Sequence, residues 1–145
     1  MKLPRRENDP VVEMLANTPI WTGLSKQDLK SIVSASHERR YDAGKVIVGK
    51  GESGVGFYLI LDGTVEVKSG ETTLSTLGPG QFFGEMAVLD DKPRSADVIS
   101  VSPSRCLLLT AWSFRALISS HPKIALHMLR ECIRRLRDTD KSFSE

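Results

Sequence analysis

Cysteine and histidine are both scarce in this chain. Cys106 and Cys132 are the only two cysteines, and their separation matches no metal-binding pair, so they read as buried or half-buried thiols. The three histidines are His37, His121 and His127. None forms an H-x-H pair, and two fall in the helical end, which argues against the histidine-clustered metal site of some β-barrel-like enzymes. There is no Ser-His-Asp or P-loop signature. Gly78-x-Gly80-x-x-x-Gly84 is off by one residue from the dinucleotide fingerprint and lacks its strand–turn–helix setting. These absences point away from an enzyme, a metal site and a bound cofactor.

Long apolar runs are missing too. Nothing approaches the roughly 20 residues of a membrane span, and MKLPRRENDP lacks the apolar segment of a signal peptide. Both point to a cytoplasmic protein without membrane insertion. Net charge is only +2, with no basic stripe suited to a nucleic-acid backbone, so no direct nucleic-acid binding by this chain is expected. The one local excess, Arg130 to Arg137, has the plain reading of a solvated helix face. No internal repeat or low-complexity segment is present.

What is there suits one globular domain of 145 residues, with 40% apolar and 26% charged residues. Residues 1–8 read as a loose tail, 9–139 as the domain and 140–145 as a second tail. Asp9-Pro10 supplies a helix start, and Val11, Met14 and Leu15 follow at helical spacing until Thr18-Pro19. Ser25 to Asp28 resembles a capping box, with Leu29, Ile32 and Val33 as the apolar face of a second helix. From about Ser34 to Ala111 the pattern is short strands. Val46 and Val48 alternate, and Phe57 to Leu61 is a continuous run that predicts a buried strand. Asp62-Gly63 gives a hairpin signal and Ser69-Gly70 a second turn. Gly78-Pro79-Gly80 breaks the sheet, Ala96 and Val98 alternate, and Cys106 to Leu109 is a last strand. Phe114, Leu117 and Ile118 mark a helix ending near His121, and Pro122 opens another. On that helix Ala125, Leu129, Cys132 and Leu136 recur as an apolar face, with the spacing to pair helices in a homodimer but too short for a coiled coil. The expected class is α+β, mainly β: a β-roll, or jelly roll, flanked by N-terminal helices and two C-terminal helices.

The stretch from Gly80 to Val98, GQFFGEMAVLDDKPRSADV, carries the chemistry. Phe83-Gly84-Glu85-Met86-Ala87 reads as a turn entering a short helix, whose first amides have no partner within the helix and suit an anion. Gly84 permits close backbone approach. Glu85 is an acceptor fit for sugar hydroxyls, and Arg94 offers a planar fork matched to phosphate oxygens. Arg94 follows Pro93 and is expected to open a strand; taken alone it reads as a surface arginine paired with Asp90 or Asp91, and Glu85 as a residue favoured at a helix start.

FGEMAVLDDKPRSADV resembles the phosphate-binding cassette of cyclic nucleotide-binding domains, which roughly follows F-G-E-L/M-A, a short variable loop, then P/R-R-S/A/T-A. The resemblance covers about Leu24 to Asp138. It includes the Gly51-Glu52 turn, Phe57 to Val65 and Leu77-Gly78-Pro79-Gly80. It implies a regulatory module that binds cAMP or cGMP, as in catabolite-activator-type regulators, protein kinase A regulatory subunits and cyclic-nucleotide-gated channels. The matching arginine, Arg94, would bind the exocyclic phosphate oxygens and Glu85 the ribose 2′-hydroxyl. Gly84, Met86 and Ala87 would offer main-chain amides, as would Ser95, whose hydroxyl can reach phosphate or base. A serine there occurs in cAMP binders without excluding cGMP. Arg135, on the last helix, would close over the base, with Arg134 as its competitor and a solvated arginine as the plain alternative. Movement of that helix would pass occupancy to an output domain or partner protein.

Two residues depart from the family pattern. Val55 stands where an aspartate is frequent, and Asp97 replaces a small or β-branched residue and is expected to point outward. Two further readings share the fold. One is the sensor part of a DNA-binding regulator, whose helix-turn-helix would have to follow Glu145. The other is a degenerate interaction module without nucleotide, against which the intact Gly84, Glu85 and Arg94 argue.

Overall fold

The structure is a computed structural model that describes residues 10–52, 56–84 and 94–139. Glu85, Met86, Ala87 and Val55 lie outside the described residues.

A strand that is apolar at every position needs cover on both faces. Strand β3 (Gly56–Asp62) has it, being buried from Gly56 to Leu61. Phe57, Leu59 and Leu61 face one core, and Tyr58 and Ile60 face another. The other strands are β1 (His37–Tyr41), β2 (Val46–Val48), β4 (Val65–Ser69), β5 (Thr72–Leu77), β6 (Phe82–Phe83), β7 (Asp97–Ser100) and β8 (Ser104–Thr110). They form two antiparallel sheets, ordered β1-β8-β3-β6 and β2-β7-β4-β5. The second core fills the space between the sheets, joining Tyr58, Ile60, Phe83 and Cys106 to Val48, Val65, Leu77 and Val98. The first core joins the outer face of the β3 sheet to the helices. The result is the expected β-roll with flanking helices.

Those helices are α1 (Pro10–Ala16), α2 (Lys26–Ala35), α3 (Ala111–Ser120) and α4 (Pro122–Thr139). Ser25 and Asp28 form the capping box of α2, the Ser25 Oγ accepting from the Asp28 amide at 3.1 Å and the Asp28 Oδ2 from the Ser25 amide at 3.3 Å. Thr110 caps α3 through the Ser113 amide at 3.2 Å. Phe57 of β3 stacks on Phe114 of α3, centroids 4.5 Å apart. Pro19–Trp21 forms a 3₁₀ turn that the sequence pattern did not suggest.

Four sequence expectations change. Asp62-Gly63 is no hairpin, because β3 and β4 belong to different sheets and the turn carries the chain across the sandwich. Val46 and Val48 do not share a face: Val46 is 58% exposed and Val48 6%, because the register of β2 against β7 shifts between them. Arg94 does not open a strand, since β7 begins at Asp97. On α4 the docked residues are Ile124 and Met128, both buried, with Cys132 beside them, whereas Ala125, Leu129 and Leu136 face outward. This helix is apolar over more than half its circumference, so periodicity could not say which stripe would dock.

Cys106 is completely buried between the sheets, and burial pushes its thiol from the ordinary 9.0 up to about 12. Its folded value lies above its unfolded one. Its contribution is therefore complete below pH 9 and is lost as the pH rises toward about 12. Urea denaturation across pH 7 to 11 should show stability falling above pH 9 by up to about 1.4 kcal/mol per pH unit from this group. Cys106→Ala should flatten that slope, and an unchanged slope would assign the alkaline loss to other groups.

Candidate ligand-binding site

Arg94 is the centre of the site. Its main chain is clasped to the Gly51-Glu52 turn, the Arg94 amide donating to Glu52 O at 2.8 Å and the Gly51 amide to Arg94 O at 2.8 Å. Its guanidinium donates from Nη1 to Gly84 O at 2.9 Å and from Nη2 to Gly56 O at 2.8 Å. The residue is only 6% exposed. Two carbonyls thus fix the plane of a buried cation beside the residue that opens the cassette.

Gly84 is required by geometry. Its φ is +91°, and a Cβ there would lie 2.7 Å from Arg94 Nη1 and 2.7 Å from Gly56 O. Strand β6 leads into it, with Phe82 paired to Leu59 and Phe83 to Tyr58. The Phe83 ring stacks on Tyr58 at 4.8 Å. Burial raises the Tyr58 pKa, while the Arg94 charge beside it pulls the other way. Ser95 is exposed next to Arg94. Asp97 is not simply outward-facing: its Oδ1 accepts from the Lys50 amide at 2.7 Å, tying the 49–52 loop a second time to the 94–97 segment. The unusual aspartate at this position was the only sequence signal for that tie.

Arg135 lies elsewhere. Its Cζ sits 4.3 Å over the Phe82 ring, and its Nε donates to Glu131 Oε1 at 3.3 Å. Phe82 and Phe83 point into different cores, so Arg135 packs on the helical face of the sheet while Arg94 approaches from the other sheet. The structure does not bring the two arginines together. Of the adjacent pair, Arg135 is the one turned inward, its side chain 19% exposed against 52% for Arg134. Arg134 instead bonds Glu131 at 2.6 Å and Asp138 at 2.7 Å. Its hydrogen bond holds the Glu131 carboxyl below the usual range. A cleft of about 330 Å³ runs beside this contact, lined by Thr18, Ile20, Gly80, Phe82, Glu131 and Arg134 among others. Among the described residues no group of three or more His, Cys, Asp or Glu is placed to hold a metal, and no helix is long and apolar enough to cross a membrane.

A buried arginine braced by two carbonyls at a glycine turn thus sits in a β-roll. Residues 38–121 match the cyclic nucleotide-binding domain family, and the chain belongs to it. It is 34% identical over 131 residues to the cyclic AMP receptor protein of Thermus thermophilus, covering 87% of this chain and 61% of that protein. It is 39% identical over 113 residues to a cyclic nucleotide-gated potassium channel of Rhizobium etli, covering 78% of this chain and 32% of the channel. The crystal structure of the Thermus thermophilus catabolite activator protein superposes with a TM-score of 0.76 at 33% identity, over 86% of this chain and 61% of that one. The chain therefore spans less than two thirds of the length of these relatives.

Gly84→Ala should destabilise the fold by about 1–3 kcal/mol, the range for a residue held in a disfavoured backbone region. Its added methyl meets the Arg94 guanidinium and the Gly56 carbonyl, neither of which can retreat without losing a hydrogen bond. Chemical denaturation measures this, and a change below about 0.5 kcal/mol would show that the turn yields freely.

Proposed function

We propose that this chain is a regulatory module that binds a cyclic purine mononucleotide, cAMP or cGMP, without catalysis, and signals occupancy through α4. The observation that carries the reading is the buried, carbonyl-braced guanidinium of Arg94 beside Gly84 in a member of this family. The exocyclic phosphate oxygens would take further donors of Arg94 and the amides of Gly84, Glu85, Met86, Ala87 and Ser95. Glu85 would accept from the ribose 2′-hydroxyl. Arg135 would leave Phe82 and stack its flat guanidinium on the purine. The names of the Thermus and Rhizobium relatives, one a cyclic AMP receptor and one a cyclic nucleotide-gated channel, support the ligand class. The setting fits a cytoplasmic sensor with an output domain or partner beyond the module, and needs neither metal nor cofactor.

Calorimetric titration with cAMP, cGMP and linear AMP tests the reading. Heat with a cyclic nucleotide supports it, and no heat with either cyclic form leaves the degenerate interaction module. Arg94→Lys should weaken binding at least about tenfold, since charge-assisted hydrogen bonds contribute roughly 1.5–3 kcal/mol each. Lysine is the better replacement because it keeps a donor for the two buried carbonyls. An unchanged dissociation constant would move the phosphate elsewhere. Glu85→Ala should cost ribonucleotides more than their 2′-deoxy analogues, and equal losses would refute the ribose role.

A second copy of the chain is the partner that α4 best fits. Leu126, Leu129, Ile133 and Leu136, exposed by 46%, 56%, 39% and 51%, recur at spacings of three, four and three, on a stripe next to the docked face. In a parallel pair, Arg130 and Arg137 would flank Ala125 and Cys132 of the other helix, whereas an antiparallel pair would set arginine against arginine. The same stripe favours the reading as sensor part of a longer dimeric regulator. Sedimentation should find a dimer that the double change Leu129→Glu, Ile133→Glu converts to a folded monomer. A monomeric wild type across the accessible concentration range would remove this interface.

A further inference from the structure

We infer that Phe82 and Glu131 form a latch that holds Arg135, and with it the C-terminal half of α4, against the helix-facing sheet, so that nucleotide must win Arg135 from the latch. The competition rests on the nucleotide reading above; the latch does not.

One half of the latch is the aromatic face. Arg135 lies over Phe82 within the range of a cation–π contact. Phe82 is 1% exposed and braced by Phe57 at 5.3 Å, so the face it offers is fixed. It also stands two residues before Gly84, on the strand that enters the cassette. The other half is the carboxylate. Glu131 accepts from Arg135 Nε at 3.3 Å. Ile124 and Met128 are buried in its first half, and among the described residues beyond Met128 burial is partial, with Cys132 against the same core and Glu131 and Arg135 half-covered. The cleft alongside, bounded by Gly80, Phe82, Glu131 and Arg134, leaves that half open to displacement.

A side chain with one station on Phe82 and another on a base is a competitive switch. Whatever weakens the first station favours the second. Glu131→Gln keeps the size and removes the charge. Phe82→Leu keeps an apolar core residue and removes the aromatic face. Arg134→Gln removes the Glu131–Arg134 pair but leaves the Arg135 contacts in place.

Amide exchange across 129–138 of the ligand-free chain is the first measurement. It should speed up about two- to fivefold in Glu131→Gln and in Phe82→Leu, the fold-change equivalent of one exposed cation–π contact, and stay unchanged in Arg134→Gln. Exchange in β3 and β8 should stay slow, showing an intact fold. No change in either latch variant overturns the latch, as does equal acceleration in Arg134→Gln, which would assign the effect to the helix's own ion pair. These arms need no nucleotide and stand if the wild type binds none, a result that would sink only the nucleotide reading. Calorimetry with cAMP and cGMP is the second measurement. Glu131→Gln should bind about two- to fivefold more tightly than wild type, and equal or weaker binding by a variant with a loosened helix overturns the competition.

Discussion

The bracing of one buried cation organises this molecule. A guanidinium out of water is costly unless its donors are used. Arg94 spends two on Gly56 of β3 and on Gly84, which follows β6 of the same helix-facing sheet, while its main chain clasps the Gly51-Glu52 turn. The residue itself runs into β7 of the other sheet. One side chain therefore ties the rims of both sheets. Asp97 adds a second tie from the same segment to Lys50. In the proposed function, an anion drawing on Arg94 would pull on all of these at once.

Strand β3 decides where that pull can go. Its two buried faces separate the space between the sheets from the helical layer. The candidate site lies toward the first and α4 lies against the second. In the proposed function, communication between them would pass through the sheet, and consecutive aromatics of β6 offer a route. Phe83 stacks on Tyr58 on the inner side, while Phe82 packs against Phe57 and beneath Arg135 on the outer side. In a strand, adjacent residues alternate sides by necessity. Any shift of Gly84 therefore reaches both layers through a single short segment.

Much of this was legible in the sequence, for identifiable reasons. The run Phe57 to Leu61 announced a strand covered on both sides, and Ser25 with Asp28 announced the start of α2, because local chemistry fixes both. The cassette was recognisable from residue order, and Arg94 stood out within it. Its bracing could not be seen, since the acceptor on Gly56 is a main-chain oxygen 38 residues away. Asp62-Gly63 looked like a hairpin because turn chemistry does not reveal which sheet the next strand joins. On α4 the pattern showed apolar character but not orientation. Two adjacent stripes compete there, and the winner was set by Ile124 and Met128 meeting the helical core. Arg135 was picked out by its place on the helix, yet Phe82 as its partner depends on tertiary packing that no spacing encodes.

The junction before α4 separates that helix from α3, as the proposed movement requires. Only His121 separates Ser120 from Pro122. Proline has no amide to continue the α3 hydrogen-bond ladder and pushes the residue before it out of the helical region. His121 accordingly sits at φ −131° and ψ 77°. Each helix is closed off separately there, the His121 amide donating to Leu117 O at 2.9 Å and the Ile124 amide to His121 O at 3.0 Å. Rotation about this residue need not break the ladder of either helix. The pivot itself is held in place: Ile124 is fully buried, and His121 Nε2 lies 3.8 Å from Asp28 of α2. Burial then declines along α4 until Arg135 supplies the last partly covered side chain among the described residues. In the proposed function, a helix anchored at its proline end would turn small changes at β6 into larger movement of its far end. The Arg135 contacts there are polar and partly covered, so breaking them costs less than lifting Ile124 or Met128 out of the core.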